Sequence, residues 1–314
     1  MMPSTAQGGP RSCAAHWART AGRGGSMRHA ARRTARRRKL GSELRTLREA
    51  ADVSPEEAAR AIHGDRTKIS RQETGQHRIT RLELDVLLDL YEVGDGKLRE
   101  WLIALASEGN KRTWWRRYSE RLPEGFKELL DLESEAARIS AFQSQVVPGL
   151  LQTQAYATAL IAGSATSLTK EQLDFFVDFR MSRQNIFLRG NPPQYTAIVA
   201  EGVLHQQVGG PDVLAEQLQH LALLSQSPDI TIQVVPFSLT SFTDTGGSFA
   251  LYSYPDTLDL DVVQVEHLDG ALCMEDDETV AKYRRALERL RSSALPPGPS
   301  IELIASIARR LEHQ

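Results

Sequence analysis

The sequence predicts a multidomain chain: a small all-α domain of five helices, then an α/β (α+β) domain with a small mixed sheet. Three observations predict it. Through residues 39–108 apolar residues recur at three- and four-residue spacing, the pattern of helices with one buried face. Beyond residue 124, β-branched and aromatic runs alternate with longer helical stretches, as in a sheet covered by helices. Between these regions the stretch NKRTWWRRYSERLP has neither pattern.

Residues 1–38 read as a disordered basic arm. The first 26 are rich in Gly, Ala, Arg and Ser without apolar periodicity, a composition that cannot bury a core. Met27 is followed directly by RHAARRTARRRKL, so a second reading starts translation there. Leu40, Leu44 and Leu47 mark the first helix. In Ser54-Pro55-Glu56-Glu57 the serine caps, the proline suits the first helical position, and Glu57 returns a hydrogen bond. Ala58, Ala59 and Ile62 give that second helix a small inner face, and His63-Gly64 breaks it. A third helix runs through DRTKISRQETG to Gly75. Thr80 with Glu83 forms another capping box, opening a helix with Leu84, Leu87, Leu88 and Tyr91 on one side. Leu98, Trp101, Leu102 and Leu105 mark the fifth.

Residues 109–123 read as a Trp/Arg-rich junction and 124–314 as the second domain. Its expected helices are 124–144, 170–188, 211–226, 277–294 and 299–312. Its expected strands lie in YTAIVAEGVL, ITIQVVPFSL, SFALYSY and DVVQVEHL. No internal repeat is visible.

Composition narrows the function classes. No apolar run approaches the ~20 residues that cross a membrane. The cysteines are Cys13 and Cys273, too few and too far apart for a disulfide framework, which fits a reducing cytoplasm. The net charge of −2 hides an asymmetry. Residues 1–48 hold 12 Arg/Lys against one acid, Glu43. Of the totals of 38 and 40, that leaves 26 basic and 39 acidic residues in 49–314, a balance of −13. A basic front on an acidic body points to a polyanion at one end only.

The segment 54–75 has the geometry of a helix-turn-helix: a short helix, a tight turn, and a second helix that offers its N-terminal side chains to a major groove. With Ile69 inward, Arg66, Thr67, Lys68, Ser70 and Arg71 are the candidate DNA-binding residues. Arginine bonds guanine bidentately, while lysine and hydroxyls more often hold phosphate. Arg78, after the recognition helix, is a candidate backbone contact. Arg36, Arg37 and Arg38 of the arm would enter a minor groove or cover phosphates.

Ile69-Ser70-Arg71-Gln72-Glu73-Thr74-Gly75 resembles the I-S-x-x-E-x-G core of XRE-type, phage-repressor-like (lambda-repressor-like) regulators, and the likeness extends over 39–107. The resemblance implies base contacts from Arg66, Thr67 and Arg71. Pro55 stands where the family often has a phosphate-clamping Gln, and the turn reads His63-Gly64 in place of Gly and an apolar residue. From Trp114 onward the chain resembles the DUF5753-like domain of actinobacterial WhiJ-like, antitoxin-like regulators. The resemblance rests on WWRRYSERLPEGF, the VPGLLQT segment (Val147 to Thr153) and RMSRQ, with Phe142 where Trp is common. It implies a regulatory module and a small partner protein encoded nearby.

Within the second domain, Phe126, Leu130, Glu133 and Ala137 share a helical face. Leu173, Phe176, Val177, Arg180, Gln184 and Phe187 do the same. A buried unpaired charge costs several kcal/mol, so a Glu133–Arg180 ion pair is expected, as a structural link or a ligand site. An enzymatic reading puts Glu201 and Glu266 in strands as general acid or base, with His205 and His267 nearby. Arg180 and Arg183 would hold an anionic, nucleotide-like substrate for cleavage at a glycosidic bond. No phosphate loop, catalytic triad or metal-ligand spacing accompanies them, so catalysis, cofactors and metals are not expected. Trp114, Trp115 and Tyr118 among Arg112, Arg116 and Arg117 read either as an interface hot spot or as the aromatic packing that docks the two domains.

Taken together, the sequence points to a cytoplasmic, nucleoid-associated transcriptional regulator. Its expected partners are double-stranded DNA, a second copy in a homodimer, and a small-molecule effector or small partner protein. No membrane is among them.

Overall fold

The computed structural model describes residues 35–107, 115, 118, 121–122, 124–164, 168–239, 247–255, 260–267 and 270–312. Side chains are described outside 124–128 and residue 270. Five helices come first: α1 (Ala35–Ala50), α2 (Pro55–Ala61), α3 (Arg66–Glu73), α4 (Arg81–Leu90) and α5 (Lys97–Ala106). Both expected capping boxes form, Ser54 with Glu57 and Thr80 with Glu83. The apolar stripes point inward: Leu44, Ala58, Ile69, Leu84, Leu88 and Leu102 are fully buried. Leu98 is the exception and is exposed. Helix α1 begins at Ala35, so Arg36, Arg37 and Arg38 belong to its first turn and are not part of a disordered arm.

Helix α1 crosses the end of α3 at very short range. A Cβ on Gly41 would lie 2.4 Å from the carbonyl oxygen of Glu73 and 2.5 Å from that of Gln72. Neither obstacle is a movable side chain. At the end of α3, Gly75 takes φ +70°, which favours glycine, and a Cβ there would lie 3.0 Å from the backbone nitrogen of Arg38. Gly41→Ala is therefore expected to lower stability by about 1–3 kcal/mol through forced overpacking. Thermal unfolding of the full chain would check this; an unchanged midpoint would mean that α1 and α3 can separate freely.

The second domain contains α6 (Glu124–Glu135), β1 (Arg138–Gln143), α7 (Gln154–Ser164), α8 (Lys170–Arg183), β2 (Gln194–Ala200), α9 (Pro211–Leu224), β3 (Ile230–Val235), β4 (Phe249–Ser253), β5 (Asp261–His267), β6 (Gly270–Met274), α10 (Asp277–Ser293) and α11 (Pro297–Leu311). The strands form one mixed sheet in the order β3-β2-β1-β4-β5-β6. Strands β1, β2 and β3 are parallel, while β4, β5 and β6 continue antiparallel from β1. Alternate residues serve opposite faces. Ile139, Ala141, Tyr195, Ala197 and Tyr252 join the main core, with Leu130, Tyr156 and Phe179. Phe142, Ile198, Phe249, Leu251 and Val263 pack on Val280, Leu287 and Leu290 of α10.

Two expectations need correction. The segment 124–144 is not one helix: α6 stops at Glu135 and the chain turns into β1, which lies between β2 and β4. Its Arg, Ala and Gln favour helix, but pairing on both edges decides the outcome. Likewise, the helix expected over 170–188 ends at Arg183 and continues as a 3₁₀ turn, Gln184–Leu188. Strand β6 and helix α7 were not anticipated. Among the described residues no helix is long and apolar enough to cross a membrane.

Candidate nucleic-acid interface

Helix α3 is built for display. Asp65 caps it, its side chain accepting from the Lys68 amide at 2.7 Å. His63 takes φ 51° to make the turn from α2. Ile69 and Gln72 are buried, so the opposite face carries Thr67, Ser70 and Arg71, three and four residues apart, and all three are exposed. Thr74 extends that exposed face by one more turn. The sequence reading missed it, although the spacing from Ser70 carries the signal. Its hydroxyl bonds back to the Ser70 carbonyl at 2.8 Å, so it is already partly occupied.

Arg71 has no side-chain partner among the described residues. Arg66, on the flank, lies 3.2 Å from Glu56, but both are well exposed, so water screens the pair and little holds it. Lys68 differs from the others. It forms an ion pair with Glu83 of α4 and is half-buried, which spends its charge on holding α3 to α4. Burial pushes the Glu83 carboxyl up, but the Lys68 ammonium and the Thr80 amide outweigh it and hold it below the ordinary range. That contribution to stability is present above the unfolded carboxylate value and lost as pH falls through the folded one. Arg78 is exposed beyond the helix.

The Glu and Gly of the I-S-x-x-E-x-G core have structural duties. Glu73 accepts from Arg48 Nε at 2.6 Å and from Nη2 at 3.2 Å, a two-point clamp of α3 onto α1. Gly75 allows the close passage of α1 described above.

Arg36, Arg38 and Lys39 at the start of α1 face the second domain, whereas Arg37 lines a recess with Gln72, His77 and Arg78. Arg36 Nε lies 2.8 Å from Glu135 Oε2, at the end of α6. Its guanidinium sits 5.4 Å from the centre of the Tyr254 ring. Arg38 Nε donates to Glu275 at 2.8 Å, and Lys39 Nζ lies 3.7 Å from Asp277. One helix thus touches both the recognition helix and the acidic body.

The expected Glu133–Arg180 pair does not form. Glu133 is 5% exposed and accepts from Arg183, at 3.1 Å from its Nε and at a second contact with Nη2. Arg180 donates to Gln152 at 2.8 Å. The two arginines are three residues apart on one stripe of α8, so periodicity alone could not choose between them. Burial, with Arg183 alongside, lowers the Arg180 guanidinium to about 10.

The proposed catalytic carboxylates are not brought together. Glu201 begins a short 3₁₀ turn after β2 and accepts from the Phe237 amide at 2.7 Å. His205, 3.6 Å from Glu201, stacks on Phe237. Glu266 is exposed near the end of β5, three strands from β2, a separation of roughly 14 Å at ~4.8 Å per strand. That exceeds the ~5–9.5 Å at which two carboxyl groups share a glycosidic bond. Tyr118 is buried on α8, donating to Asp178 at 2.7 Å, with its ring edge against Phe179. Trp115 is buried as well. Both therefore belong to internal packing; Trp114, Arg112, Arg116 and Arg117 lie outside the described residues.

Comparison with known proteins finds two family models along the chain. Residues 39–102 match the family model of a helix-turn-helix domain. Residues 126–306, more than half of the 314-residue chain, match a domain of unknown function, DUF5753. No curated protein and no solved structure matches the chain. The chain belongs to the DUF5753 family, and in front of that domain it carries a DNA-binding helix-turn-helix.

Proposed function

We propose that this protein is a sequence-specific transcriptional regulator that acts at the nucleoid. Helix α3 reads the major groove, and the C-terminal domain adjusts operator affinity in answer to a small ligand or partner protein. The observation that carries the reading is the face of α3: Thr67, Ser70 and Arg71 open to solvent, backed by a buried Ile69. A recognition helix of eight residues covers few base pairs, so a homodimer on two half-sites supplies the specificity. Selection of the full chain on random duplex DNA tests this. An enriched two-fold motif with half-sites about one helical turn apart is expected. Recovery of unenriched sequence at low salt would overturn intrinsic operator reading.

The route between the domains is α1. Its first turn is held by Glu135 and Glu275, and its middle is clamped to α3 through Gly41 and Arg48. Phosphates compete with those carboxylates for Arg36 and Arg38. Glu135→Gln/Glu275→Gln should therefore bind non-specific duplex DNA more tightly. The slope of log affinity against log salt should steepen by about 1.8, for two more neutralised phosphates. A titration at several salt concentrations checks this; an unchanged slope would mean that the two arginines never reach DNA.

A further inference from the structure

A cavity of about 60 Å³ lies against the core-facing side of the sheet, between β1 and β4. That volume holds a few waters or the head of a small ligand. Its position has topological meaning. The chain leaves the carboxyl end of β1 towards β2 on one side, while β4 flanks β1 on the other. The strand order reverses there, and the cavity lies at that end, by Gln143 of β1 and Phe249 of β4.

The walls define what could enter. Arg183 and Glu133 line the cavity and neutralise each other. The Tyr252 hydroxyl donates to Gln264 Oε1 at 2.9 Å. In this arrangement the Gln264 NH₂ group has no partner among the described residues. The Tyr195 hydroxyl also has none there. Gln264 and Tyr195 are each 3% exposed, yet neither polar group is a fully enclosed unpaired atom, so both open onto the cavity. Glu266 also lines the cavity and is exposed.

The geometry points to a binding site in the C-terminal domain for a small molecule with an uncharged carbonyl head, such as a primary or cyclic amide. The Gln264 NH₂ of β5 and the Tyr195 hydroxyl of β2 are two separate donors on its walls, each open to an acceptor. A carboxylate would meet an already neutralised arginine and two acidic residues. A cation could pair with the exposed Glu266 but would leave both donors unanswered. The inference deepens the sensing role proposed above, but its test contains no DNA, so either can fail while the other stands.

The test uses the full chain labelled with ¹³C at the tyrosine ζ carbon, whose shift reports on hydroxyl hydrogen bonding. The signal missing in Tyr195→Phe identifies the residue. Acetamide, acetate and acetamidinium share one shape and differ in charge, and each is titrated in turn. The expected result is a saturable shift of the Tyr195 signal with acetamide, at a midpoint at least ten-fold below those of the two ions. Gln264→Met should weaken acetamide by about ten-fold. Tighter binding of acetate would replace the proposal with an anion site. Linear, unsaturated shifts with all three probes would leave a water-filled cavity and overturn it. The probe comparison needs only the wild-type chain, so a variant that folds poorly does not blunt it.

Discussion

Replacing Arg66 and Arg71 together by alanine is expected to abolish sequence selection while leaving the fold intact. Both side chains are exposed; Arg71 has no partner among the described residues and Arg66 has only a screened one. A bidentate arginine–guanine contact contributes about 1–3 kcal/mol of discrimination. Losing two should narrow the gap between operator and scrambled duplex by about 30-fold to 10⁴-fold. Stability should change by less than about 0.5 kcal/mol, as at other surface sites. Ile69→Ala is the contrasting variant. It removes the buried anchor and should cost about 2–5 kcal/mol, so its loss of DNA binding would follow unfolding. Operator and scrambled dissociation constants, measured beside thermal unfolding, separate the two effects. A double variant that still prefers the operator would move sequence reading away from α3.

Glu133→Ala should produce the largest loss of stability. It leaves Arg183 buried without its carboxylate, which costs about 3–5 kcal/mol. In a domain of this size the unfolding midpoint would fall by on the order of 10 °C. Burial alone would lower the Arg183 guanidinium, but the Glu133 carboxylate more than offsets that and raises it. The same residue also meets Gly149, whose added Cβ would lie 3.6 Å from Arg183 Nη1. A Glu133→Leu/Arg183→Met double variant removes both charges and should recover much of the loss. Failure of the double to exceed Glu133→Leu alone would mean that shape at this position matters more than charge.

Much of the N-terminal domain was legible because its signals are local. Ser54 with Glu57 and Thr80 with Glu83 are caps written within four residues, and both form. Leu84, Leu87 and Leu88 recur at the helical period and are buried. The exposure of Thr67, Ser70 and Arg71 follows once Ile69 is turned inward. The second domain was less legible. Strand β1 lies in a stretch rich in helix formers, and only β2 and β4 make it a strand. The hairpin strand β6 is short and begins on glycine. Charge partners were harder still. Nothing along the sequence separates Arg180 from Arg183 as the partner of Glu133, because one turn of α8 places both on the same stripe.

By itself the sequence determined the five-helix front, its turn and caps, the exposed face of α3 and the change to a sheet-bearing domain. Each of these depends on contacts within one or two turns, or on an alternation that any strand must show. Only the tertiary structure decided where the arginines of α1 go. Arg38 meets Glu275 across 237 positions, and no local pattern records such a pairing. The structure likewise assembled the cavity from Glu133, Arg183, Tyr195 and Gln264, which four separate elements supply. The physical reason is common to both: periodicity tells which side of an element is buried, whereas the partner it meets there is set by how distant elements pack.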